Sequence, residues 1–236
     1  MYIPFSEKYK AETIMKSYDV VRASAAPSIN GCWNEGDWNK ANVADVDVFL
    51  KESSDHRPEV KAKLLYDDNG IYGLFKVKDQ YVRSVNIKFQ GPVCKDSCVE
   101  FFFKPHAGRG YFNLECNCGG IFLCYYIEDH TRTPNGFAKS VGLTADDAVG
   151  IKIFHSMPEV VEPEIKEKTE WYNGFFFPFS LIEKYSGPLG EMKGKEWHAN
   201  FYKCGDATSH PHWASWNPVS ALNFHLPDCF GALHFK

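Results

Sequence analysis

Cys98-Val99-Glu100-Phe101-Phe102-Phe103-Lys104 and, after a turn, Tyr111-Phe112-Asn113-Leu114-Glu115-Cys116-Asn117-Cys118 decide the fold class. Both runs are short, rich in rings and bounded by turn residues, as strands are. Successive strand side chains point to opposite faces. Val99, Phe101 and Phe103 therefore share one face of the first strand, and Phe112, Leu114, Cys116 and Cys118 share one face of the second. The other faces carry Cys98, Glu100 and Phe102, then Tyr111, Asn113, Glu115 and Asn117. Pairing the strands gathers Glu100, Glu115 and the two Asn on one polar surface. That surface is either a working face or an ordinary solvated one.

Eight further runs read the same way: Val60–Tyr66, Ile71–Val77, Val82–Lys88, Ile121–Ile127, Gly150–His155, Thr169–Phe177, Trp197–Cys204 and Gly231–Phe235. Asp67-Asp68-Asn69-Gly70 is a hairpin turn. One short helix fits Pro178–Tyr185, with Ser180 and Glu183 at capping-box spacing. The polar stretch Pro158–Lys168 reads as a surface loop. Ten short strands and one helix predict a β-sandwich or jelly roll, and 236 residues with no repeat or linker predict a single domain over residues 1–236.

Lys and Arg number 26 against 30 Asp and Glu, so no basic excess marks a nucleic-acid footprint. No run approaches the roughly 18 apolar residues of a membrane span. The start, Met1-Tyr2-Ile3-Pro4-Phe5-Ser6-Glu7-Lys8, lacks a basic head and an apolar core, so as a native start it predicts a cytoplasmic protein. If the chain is a processed form, export is the expectation instead. Several of the eight cysteines lie in apolar runs and read as reduced, structural thiols.

Motifs for nucleophile elbows, phosphate loops and dinucleotide sites are missing. Cys94 and Cys98 with Cys116 and Cys118 imitate zinc knuckles, but a one-residue gap puts the second pair on one apolar strand face. Core burial is the stronger reading, and no metal site or cofactor is expected. Asp79, Glu128 and Asp129 are oxygen donors for calcium, the one ion left open, against solvated loop positions as the plainer reading. Glu100 and Glu115 are also the residue types of a glycosidase pair.

The C-terminal stretch runs Trp213-Ala214-Ser215-Trp216-Asn217-Pro218, then Asn223-Phe224-His225. It does not alternate, and it crowds rings among amide and imidazole groups. It reads as a loop offering flat rings beside hydrogen-bonding groups, the pairing a sugar needs. For Trp213 and Trp216 a packed loop anchor is the rival reading. Trp33 and Trp38 read as plugs of the sandwich edge, and Trp171 and Trp197 as core or rim.

Taken in order, several segments resemble carbohydrate-binding module family 9 and its stand-alone, DOMON-like relatives. They are Ile29-Asn30-Gly31 leading to Trp38, the hairpin Lys63–Phe75, Asp96–Phe102, Tyr111–Asn117, Trp171–Pro178, Trp197–Tyr202, Trp216-Asn217-Pro218, Phe224–Pro227 and Phe230-Gly231. The resemblance implies an antiparallel β-sandwich, immunoglobulin-like or jelly-roll-like, that binds a mono- or oligosaccharide without cleaving it. In the family's xylanase-linked members two Trp rings clamp a terminal sugar. Here Phe224 falls at one ring position, and the other falls near Val93–Cys94, which has no ring. Trp213, Trp216 and Tyr81 are the candidates for the second ring. Arg83, Asn117, Lys203, His212, Asn223 and His225 are the expected hydrogen-bonding residues. A glycoside hydrolase would be a partner in trans. The rival functions are a glycoside-processing enzyme using Glu100 or Glu115 and a protein-interaction sandwich with no sugar ligand.

Overall fold

In the computed structural model residues 15–236 are described, and the Met1–Lys8 stretch lies outside them. The strands follow in order: β1 (Ser17–Arg22), β2 (Ala44–Asp45), β3 (Val48–Phe49), β4 (Glu59–Tyr66), β5 (Gly70–Asp79), β6 (Val82–Ser84), β7 (Cys98–Lys104), β8 (Tyr111–Asn117), β9 (Phe122–Thr133), β10 (Gly136–Gly142), β11 (Lys152–His155), β12 (Val161–Ile165), β13 (Thr169–Pro178), β14 (Glu196–Cys204), β15 (Trp213–Ser215) and β16 (Gly231–Phe235). Helix α1 (Ala145–Ala148) precedes β11, and α2 (Phe179–Ser186) follows β13.

Side-chain alternation builds two layers from these strands. One is ordered β10-β9-β8-β7-β14-β16-β1 and the other β1-β4-β5-β13-β11. Strand β1 belongs to both. Ser17–Val20 runs parallel to β16, and Val21–Arg22 runs parallel to β4. Inward residues of the first layer (Val99, Phe101, Phe103, Phe112, Leu114, Phe201) meet those of the second (Leu64, Phe75, Val77, Trp171, Phe175, Phe177) in one core. Phe101 stacks on Phe103, Phe175 and Phe201 with centroids 4.9–5.5 Å apart. Offset ring stacks of this kind add specific attraction to burial.

All ten expected strands are present, with shifted ends. Val82–Lys88 stops at Ser84, and Ile121–Ile127 continues to Thr133 as a hairpin with β10. The stretch read as a loop at Pro158–Lys168 holds β12, which pairs with β6. The parallel pairs of β1 break an otherwise antiparallel plan. A second, one-turn helix, α1, appears where Thr144 and Asp147 form a reciprocal capping box. For α2 the expected Ser180 cap is displaced. Pro178 is the N-cap, without a side-chain hydrogen bond, and Ser180 lies in the first turn. Trp38 packs with Leu65, Tyr72 and Leu74 in a second cluster, and Trp171 and Trp197 are in the main core.

Candidate functional site

The outward residues of β7, β8 and β14 form the floor of a cavity. Register sets Glu100 directly between Glu115 of β8 and Tyr202 of β14, and sets Cys98 opposite Cys204. The polar surface expected from alternation exists, but it is covered rather than solvated. The 216–230 segment folds across it. Phe224 lies flat on Tyr202, with centroids 4.0 Å apart and planes 11° apart, and Tyr202 Oη donates to the Phe224 carbonyl at 3.1 Å. His225 seats among Phe102, Tyr111 and Phe137, and its Nδ1 is 2.9 Å from Tyr111 Oη.

The space left between this segment and the sheet is a cavity of about 280 Å³. Trp213 and Phe224 bring rings to it, Glu100, Glu115 and Asp206 bring carboxyl groups, and Arg132, Asn223 and His225 bring nitrogen. Trp213 Nε1 is fixed by Asp206 Oδ1 at 2.7 Å. Asn223 Oδ1 accepts from the His225 amide at 3.0 Å. One face of Phe224 is covered by Tyr202, and the ring also lines the cavity.

Burial and the adjacent Glu115 push the Glu100 carboxyl well above its usual range. Burial likewise pushes Glu115 up to about 7, against a hydrogen bond from Asn113 Nδ2 at 2.8 Å. Two acids side by side in a low-dielectric site cannot both ionise readily, so the pair retains a proton at neutral pH. The floor therefore offers a donor and several acceptors together. Burial, then Arg132, lowers His225 to about 3, which leaves it a neutral imidazole.

The structure divides the expected ligand residues. Trp213, Asn223, Phe224 and His225 converge on the cavity. Trp216 does not. It is buried in the core, edge-on to Tyr18 and Phe201, because its backbone continues from β15 into the sandwich. Tyr81 also lies elsewhere, stacked on His210 at 3.6 Å. Arg83 pairs with Glu162 at 2.8 Å beside the small β6–β12 sheet. Asn117 is fully buried, donates to Asp96 Oδ2 at 2.8 Å and to the Asn86 carbonyl at 3.0 Å, and accepts from the Ile121 amide at 2.9 Å. Those bonds hold the β8–β9 turn.

Lys203 and His212 are interior. Lys203 shares the parity of Ala199 and Phe201 and so points into the sandwich. Its Nζ donates to the Cys204 carbonyl at 3.0 Å and to His212 Nε2 at 2.7 Å, and lies 3.3 Å from Asp79 Oδ2. Asp79 is also bonded by His56 at 2.7 Å, by Trp171 Nε1 at 3.2 Å and by the Gln80 amide at 2.8 Å. Burial alone would raise the Asp79 carboxyl, but the Lys203 charge and the His56 bond outweigh it and hold it well below the usual range. Asp79 is thus neither solvated nor grouped with Glu128 and Asp129, which are on β9. Glu128 pairs there with Lys139.

Arg132, Cys204 and Asp206 line the cavity without having been singled out in the sequence, and Phe102 and Cys94 line it without having been expected as ligand residues. Strand parity alone marks Cys204 as sharing the face of Tyr202. Asp206 and Arg132 reach the cavity by paths the sequence does not encode locally.

Residues 35–235 match the profile of carbohydrate-binding family 9. The chain belongs to carbohydrate-binding family 9. The fold is a family 9 β-sandwich, and the family's modules bind carbohydrate without catalysis. A candidate carbohydrate-binding protein from Bacteroides uniformis is 29% identical, with a TM-score of 0.76 over 94% of this chain and 99% of its own. A family 9 module from Caldicellulosiruptor kristjanssonii, solved with cellotriose, is 16% identical, with a TM-score of 0.58 over 94% of each chain. A family 9 module from that organism, in complex with glucose, is also 16% identical, with a TM-score of 0.52 over 92% of this chain and 95% of the other. No curated protein matches the chain.

Proposed function

We propose that the cavity between Trp213 and Phe224 is the carbohydrate site of this family 9 protein. The observation that carries the reading is the pairing of two ring walls with a floor of adjacent carboxyl groups. The rings suit the C–H face of a sugar, and the floor suits its hydroxyls. Arg132 and the Asn223 amide add donors at the rim. At about 280 Å³ the cavity lies just below the usual span of ligand sites, roughly 300 to 1,000 Å³, so the ligand is one or two sugar units or the end of a chain. Glucose and cello-oligosaccharides are the first ligands to test, because the Caldicellulosiruptor modules hold glucose and cellotriose.

Binding without cleavage fits the acids' position. A glycosidase pair flanks the scissile bond, whereas Glu100 and Glu115 rise side by side from one wall. Calorimetric titration with glucose and cellotriose should give saturable binding that Phe224→Ala weakens at least tenfold, about 1.4 kcal/mol. A reducing-sugar assay should show no release from either. Binding unchanged in Phe224→Ala, or hydrolysis abolished by Glu100→Gln, would sink the reading.

A further inference from the structure

Among the described residues, two groups of metal-ligating side chains converge. The first, His56, Asp79 and His212, already holds a cation, because the Lys203 ammonium bonds to His212 and faces Asp79. The second is Cys98, Glu100 and Cys204, whose ligand atoms all lie within 4.8 Å of one another. It has no such cation. Among the described residues no Lys, Arg or His nitrogen comes within 4.0 Å of a carboxylate oxygen of Glu100, Glu115 or Asp206. Glu100 is buried, accepts from Cys204 Sγ at 3.1 Å and turns its carboxyl group to the cavity.

We propose that Cys98, Cys204 and Glu100 form a site for a soft divalent cation of the zinc type, set in the floor of the cavity. Two thiolates select such an ion over calcium or magnesium, which prefer all-oxygen sites. Bond lengths of about 2.3 Å to sulfur and 2.0–2.2 Å to oxygen place tetrahedral ligand atoms roughly 3.4–3.8 Å apart. The observed atoms lie near that spacing, all within 4.8 Å of one another and Cys204 Sγ 3.1 Å from Glu100 Oε1. The strands supply the rigidity, since Cys98 and Cys204 are direct cross-strand partners and Glu100 is two residues from Cys98 on the same face. Glu100 and Cys204 line the cavity, where Cys94 lies beside Cys204 and accepts, through its carbonyl, from Cys204 Sγ at 3.6 Å. The cavity is the entry path. A bound ion supplies the charge that displaces the thiol protons. The bound ion would also neutralise Glu100 and leave Glu115 as the floor's acceptor.

Titration of the reduced full chain with Co²⁺ tests this through thiolate-to-cobalt charge-transfer absorption. One equivalent should bind, and Zn²⁺ should displace it. Cys98→Ser and Cys204→Ser should each lose the band. Glu100→Gln should keep a band but bind at least tenfold more weakly. Cys116→Ser should match the wild type, because its thiol faces Asn173 in the interior. No band from the folded wild type, or an undiminished band in the Cys98→Ser/Cys204→Ser double variant, overturns the proposal. If the serine variants fail to fold, alkylation mapping of the wild type decides. Zn²⁺ should slow alkylation of Cys204 relative to Cys32, and equal rates with and without Zn²⁺ overturn the site. Neither readout involves a sugar, so the metal and carbohydrate readings fail separately.

Discussion

Trp216 and Phe224 are eight residues apart in one polar segment, yet they do different work. Trp216 is 3% exposed among core rings, and its neighbour Asn217 is also fully buried. Trp216→Ala should therefore cost about 3–5 kcal/mol, a fall in Tm of roughly 6–20 °C for a chain of this size. Any loss of sugar affinity in that variant should follow from loss of folded protein. Phe224 is half-buried, stacked on Tyr202 at the cavity. Phe224→Ala should leave Tm within a few degrees while the titration heat collapses. Thermal melts and calorimetry on the same two variants separate the roles. Gly231 shows how tightly the Trp216 region is closed: a Cβ there would collide with the Asn217 amide and the Lys16 carbonyl.

Among the elements, the interior end of β14 bears an unusual load. Lys203 and Asp79 are both fully buried, so they are desolvated and depend on each other. Removing one partner of such a pair typically costs about 3–5 kcal/mol, because the other charge is left unpaired. Lys203→Met should show a loss of that size in denaturant melts. The double variant Asp79→Asn/Lys203→Met should recover part of it, since an amide oxygen still accepts from Trp171 Nε1 without carrying a charge. If the double variant were no more stable than the single, the pair would not be the source of the cost. Strand parity made this end of β14 legible. Trp197, Ala199, Phe201 and Lys203 share a face, and three of them are plainly core residues. A lysine's charge argues for the surface, and that prior prevails only when the alternation is ignored. The turn residues at Asn117 were hidden for another reason: its partners Asp96 and Asn86 come from a different connection.

At the scale of the whole molecule, the buried His212 and the half-buried His225 tie stability to pH. His212 and His225 are each lowered to about 3 from an ordinary 6.5, in both cases first by burial. Between those values the unfolded chain binds protons that the folded chain refuses, so stability rises with pH through the window and is lost as pH falls. Glu115, raised from 4.5 to about 7, acts in the opposite sense between its own limits. A difference measurement isolates the histidine: the gap in unfolding free energy between wild type and His225→Gln should shift in the mutant's favour as pH falls from 6.5 to 4. A gap independent of pH would remove His225 from the linkage. The sequence by itself determined the all-β class, ten strand positions, the two faces of β7 and β8, and the ring-bearing C-terminal segment. Those are local properties, set by period-two alternation and turn chemistry. Only the tertiary structure decided which rings of that segment face the cavity and which face the core. It alone brought Cys204 beside Cys98 and enclosed Lys203 with Asp79. Such pairings depend on strand order and register between segments far apart in the chain, which local alternation does not specify.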